Sequence, residues 1–139
     1  LNILKRILAL DYGKKRSGLA VTDPLRIIVS PLVSLPTETL MDYLINYCRA
    51  EEVEKIVIGL PVHADGEDTY LTSEIRKLGN DLSDKIKSLQ VVYFDESFSS
   101  AKAKDVILRS GLPKMKRRDK ALVDRISAVI ILQEYLGHY

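Results

Sequence analysis

The chain has no tryptophan, one cysteine and two histidines among its 139 residues. A single cysteine, Cys48, excludes an intramolecular disulfide and a thiolate-rich metal site. It falls on the apolar side of an expected helix, reads as core rather than nucleophile, and suits a reducing compartment. The histidines, His63 and His138, are too widely separated for a zinc-binding pattern. No apolar run approaches the roughly 20 residues of a membrane span, and residues 1–10 lead into Asp11 and a basic turn instead of a small-residue cleavage site. A cytoplasmic protein without a membrane partner is expected. An excess of one charge is lacking too: 21 Lys and Arg oppose 19 Asp and Glu, for a net charge of +2. Any basic surface must come from placement, not from the total.

What is present is packing material. Hydrophobic residues make up 46% of the chain and charged residues 29%, the balance of a packed protein and not of a disordered one. The length suits one domain over residues 1–139. Three short strands are expected at Arg6–Asp11, Ser17–Thr22 and Arg26–Val29, with turns at the glycines and at Asp23-Pro24 making two hairpins. Pro36 and Thr37 open a helix, Thr37 as its cap, in which Met41, Leu44, Ile45 and Cys48 recur at helical spacing. Ile56–Leu60 is apolar on both faces and ends at Pro61, as suits a central parallel strand. Leu71, Ile75, Leu78, Leu82 and Ile86 mark the next helix, and Val91–Phe94 a second buried strand. Ser97 to Ser100 can cap a helix over Ala101–Ser110, and a last helix spans Ala121–Leu136 with Ile126, Val129, Ile130 and Leu132 on its apolar side. The order βββαβαβαα describes an α/β layered domain on a mixed sheet.

Against this background three acids stand out. Asp11 ends an apolar strand where a core residue belongs, and an unpartnered buried carboxylate costs several kcal/mol. Glu96 follows the last strand in the same manner, and Asp124 lies near the start of the last helix. Ligands of α/β sheets gather beyond the carboxyl ends of parallel strands, so Asp11 and Glu96 share one edge. Hard oxygen ligands without clustered His or Cys select Mg²⁺ or Mn²⁺, and two such ions can drive in-line hydrolysis of a phosphodiester. Each acid also has an ordinary explanation: Asp11 as a turn cap on Gly13, Glu96 as a solvated acid, Asp124 as a partner of a helix dipole.

Two basic groups flank the acids: Lys14, Lys15 and Arg16 in the first hairpin, and Lys114, Lys116, Arg117, Arg118 and Lys120 ahead of the last helix. Charge runs are often solvated surface, but here the positions favour contact with nucleic-acid phosphates, weakened by salt. Gly13 to Gly18 is no Walker A loop, since the terminal Gly-Lys-Ser/Thr is missing and a strand follows. Ser97, Ser99 and Ser100 have no histidine base for a serine triad. Tyr12 either packs in the core or stacks on a base.

Leu10-Asp11-Tyr12-Gly13, Lys15-Arg16-Ser17-Gly18-Leu19-Ala20, Asp23-Pro24, Gly59-Leu60-Pro61, Asp65-Gly66, Asp95-Glu96 and Val123-Asp124 together resemble the YqgF family, also called RuvX. The resemblance covers nearly the whole chain, in the family's order and spacing. It implies an RNase H-like fold related to RuvC resolvases, with a sheet ordered 3-2-1-4-5. It also implies a nuclease that matures the 5′ end of pre-16S ribosomal RNA, with Asp11, Glu96 and Asp124 as its catalytic and metal-binding residues. In that sheet order Glu96 lies two strand spacings, roughly 10 Å, from strand one and must reach sideways. Lys120 stands where the four-acid resolvases carry another acid. Three alternatives remain: a Holliday junction resolvase on branched DNA, which needs a two-fold dimer where an RNA nuclease can be a monomer; a non-catalytic nucleic-acid-binding module, opposed by the three retained acids; and an actin-like ATPase, whose second domain this length cannot supply.

Overall fold

The computed structural model describes residues 4–61, 70–96, 105–106 and 120–138, excluding the side chains of Tyr70, Glu96, Lys120 and Ala121. Its elements are β1 (Arg6–Asp11), β2 (Arg16–Thr22), β3 (Val29–Pro36), α1 (Leu40–Ala50), β4 (Val53–Pro61), α2 (Tyr70–Lys85), β5 (Gln90–Glu96) and α3 (Lys120–Leu136). The strands form one mixed sheet in the order β3-β2-β1-β4-β5, as expected. The two hairpin pairings are antiparallel, and β1–β4 and β4–β5 are parallel.

Strand alternation divides the core. Leu8 and Leu10 of β1, with Leu19 and Val21 of β2 and Ile56 and Ile58 of β4, pack against Leu40 and Leu44 of α1 and Ile75 and Leu82 of α2. Ile7, Ala9, Ala20 and Val57 point the other way, against Ala128, Ile131 and Leu132 of α3. β1 is covered on both faces, which explains why its sequence reads as a continuous apolar run. Cys48 packs against the first cluster, and burial pushes its thiol above the ordinary range, as expected of a core cysteine.

Two expectations need correction. The third strand is Val29–Pro36, not Arg26–Val29. Asp23 gathers the amides of Leu25, Ile27 and Ile28 on its carboxylate, at 3.1, 2.8 and 2.7 Å, and so draws residues 25–28 into the hairpin tip with Arg26 at φ 61°. β3 holds Pro31 and Pro36 because it is an edge strand of the sheet, where proline is tolerated. Thr37, in turn, does not cap α1. A 3₁₀ turn over Thr37–Thr39 intervenes, and Thr39 precedes the helix without a side-chain cap bond. The expected helix over residues 101–110 lies outside the described residues apart from Asp105 and Val106, which are helical.

The Asp23 turn makes stability depend on pH. Backbone hydrogen bonds from Ile28, then Ile27 and Leu25, hold its carboxyl below the ordinary value of 3.8. A depressed folded value adds stability above the unfolded value and loses it as pH falls through the folded one. Asp23→Ala is therefore expected to melt at a lower temperature than the parent near neutrality. The gap should close as pH drops below 3.8, as thermal melts across the acid range would read.

Candidate active site

Asp11 ends β1 in phase with Ile7 and Ala9, so strand alternation assigns it to the α3 face. Its partner across the hairpin is Gly18 of β2. A methyl group on Gly18 would overlap the backbone carbonyl of Asp124 and lie 3.0 Å from the Arg125 nitrogen. The missing side chain lets α3 press its Asp124 turn onto the sheet beside Asp11. This is the close backbone approach for which a strand glycine is suited.

Both acids line one cleft of about 290 Å³, together with Arg16, Tyr12, Pro61 and Leu71. Asp124 is the fifth residue of α3, past the first turn, where a helix dipole has little left to offer a carboxylate. Its side chain is 24% exposed; the Ser34 hydroxyl donates to Oδ2 at 3.5 Å, and Arg16 Nε lies 3.9 Å from the same oxygen. Arg16 Nη2 also donates to Ser34 Oγ at 3.1 Å. Tyr12 packs against the core, and its hydroxyl donates to Glu74 Oε2 of α2 at 3.1 Å. Burial first, and then the Glu74 carboxylate, push the Tyr12 hydroxyl above the ordinary tyrosine range.

The turn between β1 and β2 is tied by hydroxyls. Thr37 donates to the Gly13 carbonyl at 2.6 Å, which makes Ser17 the donor in the 2.7 Å bond between their oxygens. The Gly13 amide closes the ring by donating to Ser17 Oγ at 3.3 Å. Thr37 therefore clamps the turn that carries Lys14, Lys15 and Arg16. Thr37→Val keeps the shape but removes both Thr37 bonds, leaving the Ser17 hydroxyl and the Gly13 carbonyl only their long 3.5 Å contact with each other. It is expected to cost about 1–2 kcal/mol of stability, readable as a lower urea midpoint.

The structure thus brings Asp11, Asp124 and Arg16 together, with Lys14 and Lys15 exposed on the adjoining turn. Glu96 is the last residue of β5, paired with Pro61 of β4, two strands away from β1. Following the parallel register, Leu10, Ile58 and Tyr93 form one row, so position 96 lies two residues further along the sheet than Asp11. Its side chain, that of Lys120, and all of Lys114, Lys116, Arg117 and Arg118 lie outside the described residues, as does His63. Among the described residues, no three His, Cys, Asp or Glu side chains converge as a metal site would require. No helix among the described residues is long and apolar enough to cross a membrane.

Reasoning from sequence missed Gly18 as the point of helix contact, Ser34 as the residue beneath Arg16 and Asp124, and Thr37 as the turn clamp. The β2 pattern carried a signal for the first: Gly18 is the only residue without a side chain in an otherwise packed strand.

This sheet order, with α1 and α2 on one face and α3 on the other, defines an RNase H-like fold of the RuvC type. A solved structure described as Thermus thermophilus RuvC in complex with Holliday junction substrate superposes with a TM-score of 0.54 at 15% identity, covering 96% of each chain. The family model described as "RuvX: Holliday junction resolvase" matches residues 5–138, and the chain belongs to that family. A Porphyromonas gingivalis protein named "Putative pre-16S rRNA nuclease" is 52% identical over 96% of both chains. A Bacteroides fragilis protein of the same name is 44% identical over 96% of both.

Proposed function

We propose that the protein is a divalent-metal-dependent endonuclease of structured RNA that processes the 5′ end of pre-16S rRNA, an activity that places it in the cytoplasm. The observation that carries this reading is the seating of Asp124 beside Asp11, made possible by Gly18, in a cleft that also holds Arg16. An ordinary solvated acid and an ordinary turn cap have no reason to share a cleft. The names of the relatives supply the substrate.

The donor chemistry fits Mg²⁺ or Mn²⁺, because the cleft lining offers carboxylate oxygens and no thiolate or imidazole. Asp11 and Asp124 would hold the ions, with Glu96 as the third ligand. Position 96 is in phase along β5 with Val92 and Phe94, which pack on the α3 side, and glutamate has one methylene more than aspartate to span the lateral gap. Two such ions, when bound, supply an activated water and stabilise the leaving oxygen. Lys14, Lys15 and Arg16 would take substrate phosphates on one flank. Lys114, Lys116, Arg117, Arg118 and Lys120, just ahead of Asp124 in sequence, would take them on the other.

The test compares a pre-16S 5′ leader RNA with a four-way DNA junction, each with Mg²⁺ and with chelator. The expected result is Mg²⁺-dependent cutting of the RNA at its mature 5′ end and slower or no cutting of the junction. Preferred cutting of the junction would instead support the resolvase reading, which the family description favours and which calls for a homodimer. Binding of both substrates without cleavage would leave a nucleic-acid-binding module.

A further inference from the structure

We infer that Arg16 is the resting counter-cation of Asp124, surrendering that carboxylate when a divalent cation binds and then turning its guanidinium to a substrate phosphate. The inference rests on the metal-dependent reading above and adds a coupling between the two binding events. Arg16 is not locked onto the acid. Its Nη2 is seated on Ser34 at 3.1 Å, while Nε stays 3.9 Å from Asp124 Oδ2 in a side chain that is 41% exposed. Exposed pairs of this kind contribute little, so a doubly charged ion can replace Arg16 at small cost.

The surroundings favour such an exchange. Arg16 opens β2 opposite Pro36, and the Thr37 clamp fixes the turn just before it, so the backbone stays in place while the long side chain swings. Ser34 Oγ lies 3.5 Å from Asp124 Oδ2, so its hydroxyl can go on donating to the carboxylate after the guanidinium leaves. Once released, the guanidinium offers a rigid fork of donors matched to phosphate oxygens, and it cannot lose its charge. Arg16 thus opposes cation binding in the resting protein and assists substrate binding in the loaded one. Those opposite signs distinguish a coupled exchange from a merely structural role.

The experiment titrates Mn²⁺ calorimetrically into the full chain and into Arg16→Ala, Arg16→Lys and Asp124→Asn. Affinity for a short single-stranded RNA is measured in saturating Ca²⁺ and in chelator. Arg16→Ala is expected to bind Mn²⁺ about threefold to fivefold more tightly, the scale of an exposed ion pair, with Arg16→Lys returning toward the parent. In Ca²⁺ it should bind the RNA about threefold to tenfold more weakly, as for a lost phosphate contact, while in chelator the two proteins bind alike. Unchanged or weaker Mn²⁺ binding in Arg16→Ala overturns the inference, as does an equal loss of RNA affinity in both conditions. Asp124→Asn separates the two levels. If it keeps parental Mn²⁺ affinity, the metal-site reading itself fails; if it loses Mn²⁺ while Arg16→Ala gains nothing, only the exchange fails.

Discussion

Asp11→Asn is expected to reduce Mg²⁺-dependent cleavage on the order of a thousandfold while leaving the protein folded. Polarisation and water activation by bound ions are worth several kcal/mol, and each 1.36 kcal/mol is a factor of ten in rate. Asparagine keeps the size and one oxygen but removes the charge that makes the site attractive to a cation. Asp11 ends β1 at the rim of a cleft, next to a run of residues that are 2% exposed or less, so the sheet itself does not depend on its charge. Asparagine also keeps an acceptor oxygen in the same place, so the melting temperature should stay close to that of the parent. Single-turnover cleavage and a thermal melt together check this. A variant that melts like the parent and still cuts in Mg²⁺ would falsify the assignment of Asp11.

Gly18→Ala is the second large effect, and it works through the backbone. The added methyl would occupy the space of the Asp124 carbonyl, and backbone atoms within a packed helix cannot turn aside as a side-chain tip can. Overpacking of this kind costs about 1–3 kcal/mol, met here by lifting the first turns of α3 from the sheet. That movement carries Asp124 away from Asp11, so activity should fall at least tenfold and divalent-cation affinity should fall with it. Gly79→Ala is the control. There the new methyl would meet the Tyr93 hydroxyl and ring, the far end of a side chain that can shift. A denaturant series on the two variants should show the larger loss of stability for Gly18→Ala, and a loss of Mn²⁺ binding only there.

The sheet was legible because its strands obey simple rules. β1 and β4 read as apolar runs since both faces are covered, and Asp11 stood out against that run. β3 was misplaced because Asp23 acts over five residues, and a carboxylate gathering distant amides leaves no periodic mark in sequence. The site was half legible. Asp11 and Asp124 were found by position, but their meeting depends on Gly18, and only the hairpin register and the helix approach together reveal what that glycine does. Arg16 was read as a phosphate contact, and its link to Ser34 and Asp124, residues 18 and 108 positions away in sequence, left no sign in the pattern. Contacts of that range are set by tertiary packing, which local patterns do not encode.

The prolines of β3 have a consequence for association. Among the described residues it is the outermost strand, and an outermost strand in many sheets invites a second molecule to add its own. Here an incoming strand would meet Pro31 and Pro36, neither able to donate a hydrogen bond, and a β2–β3 register that slips between Leu19 and Ala20. Growth of the sheet from molecule to molecule is discouraged at that flank.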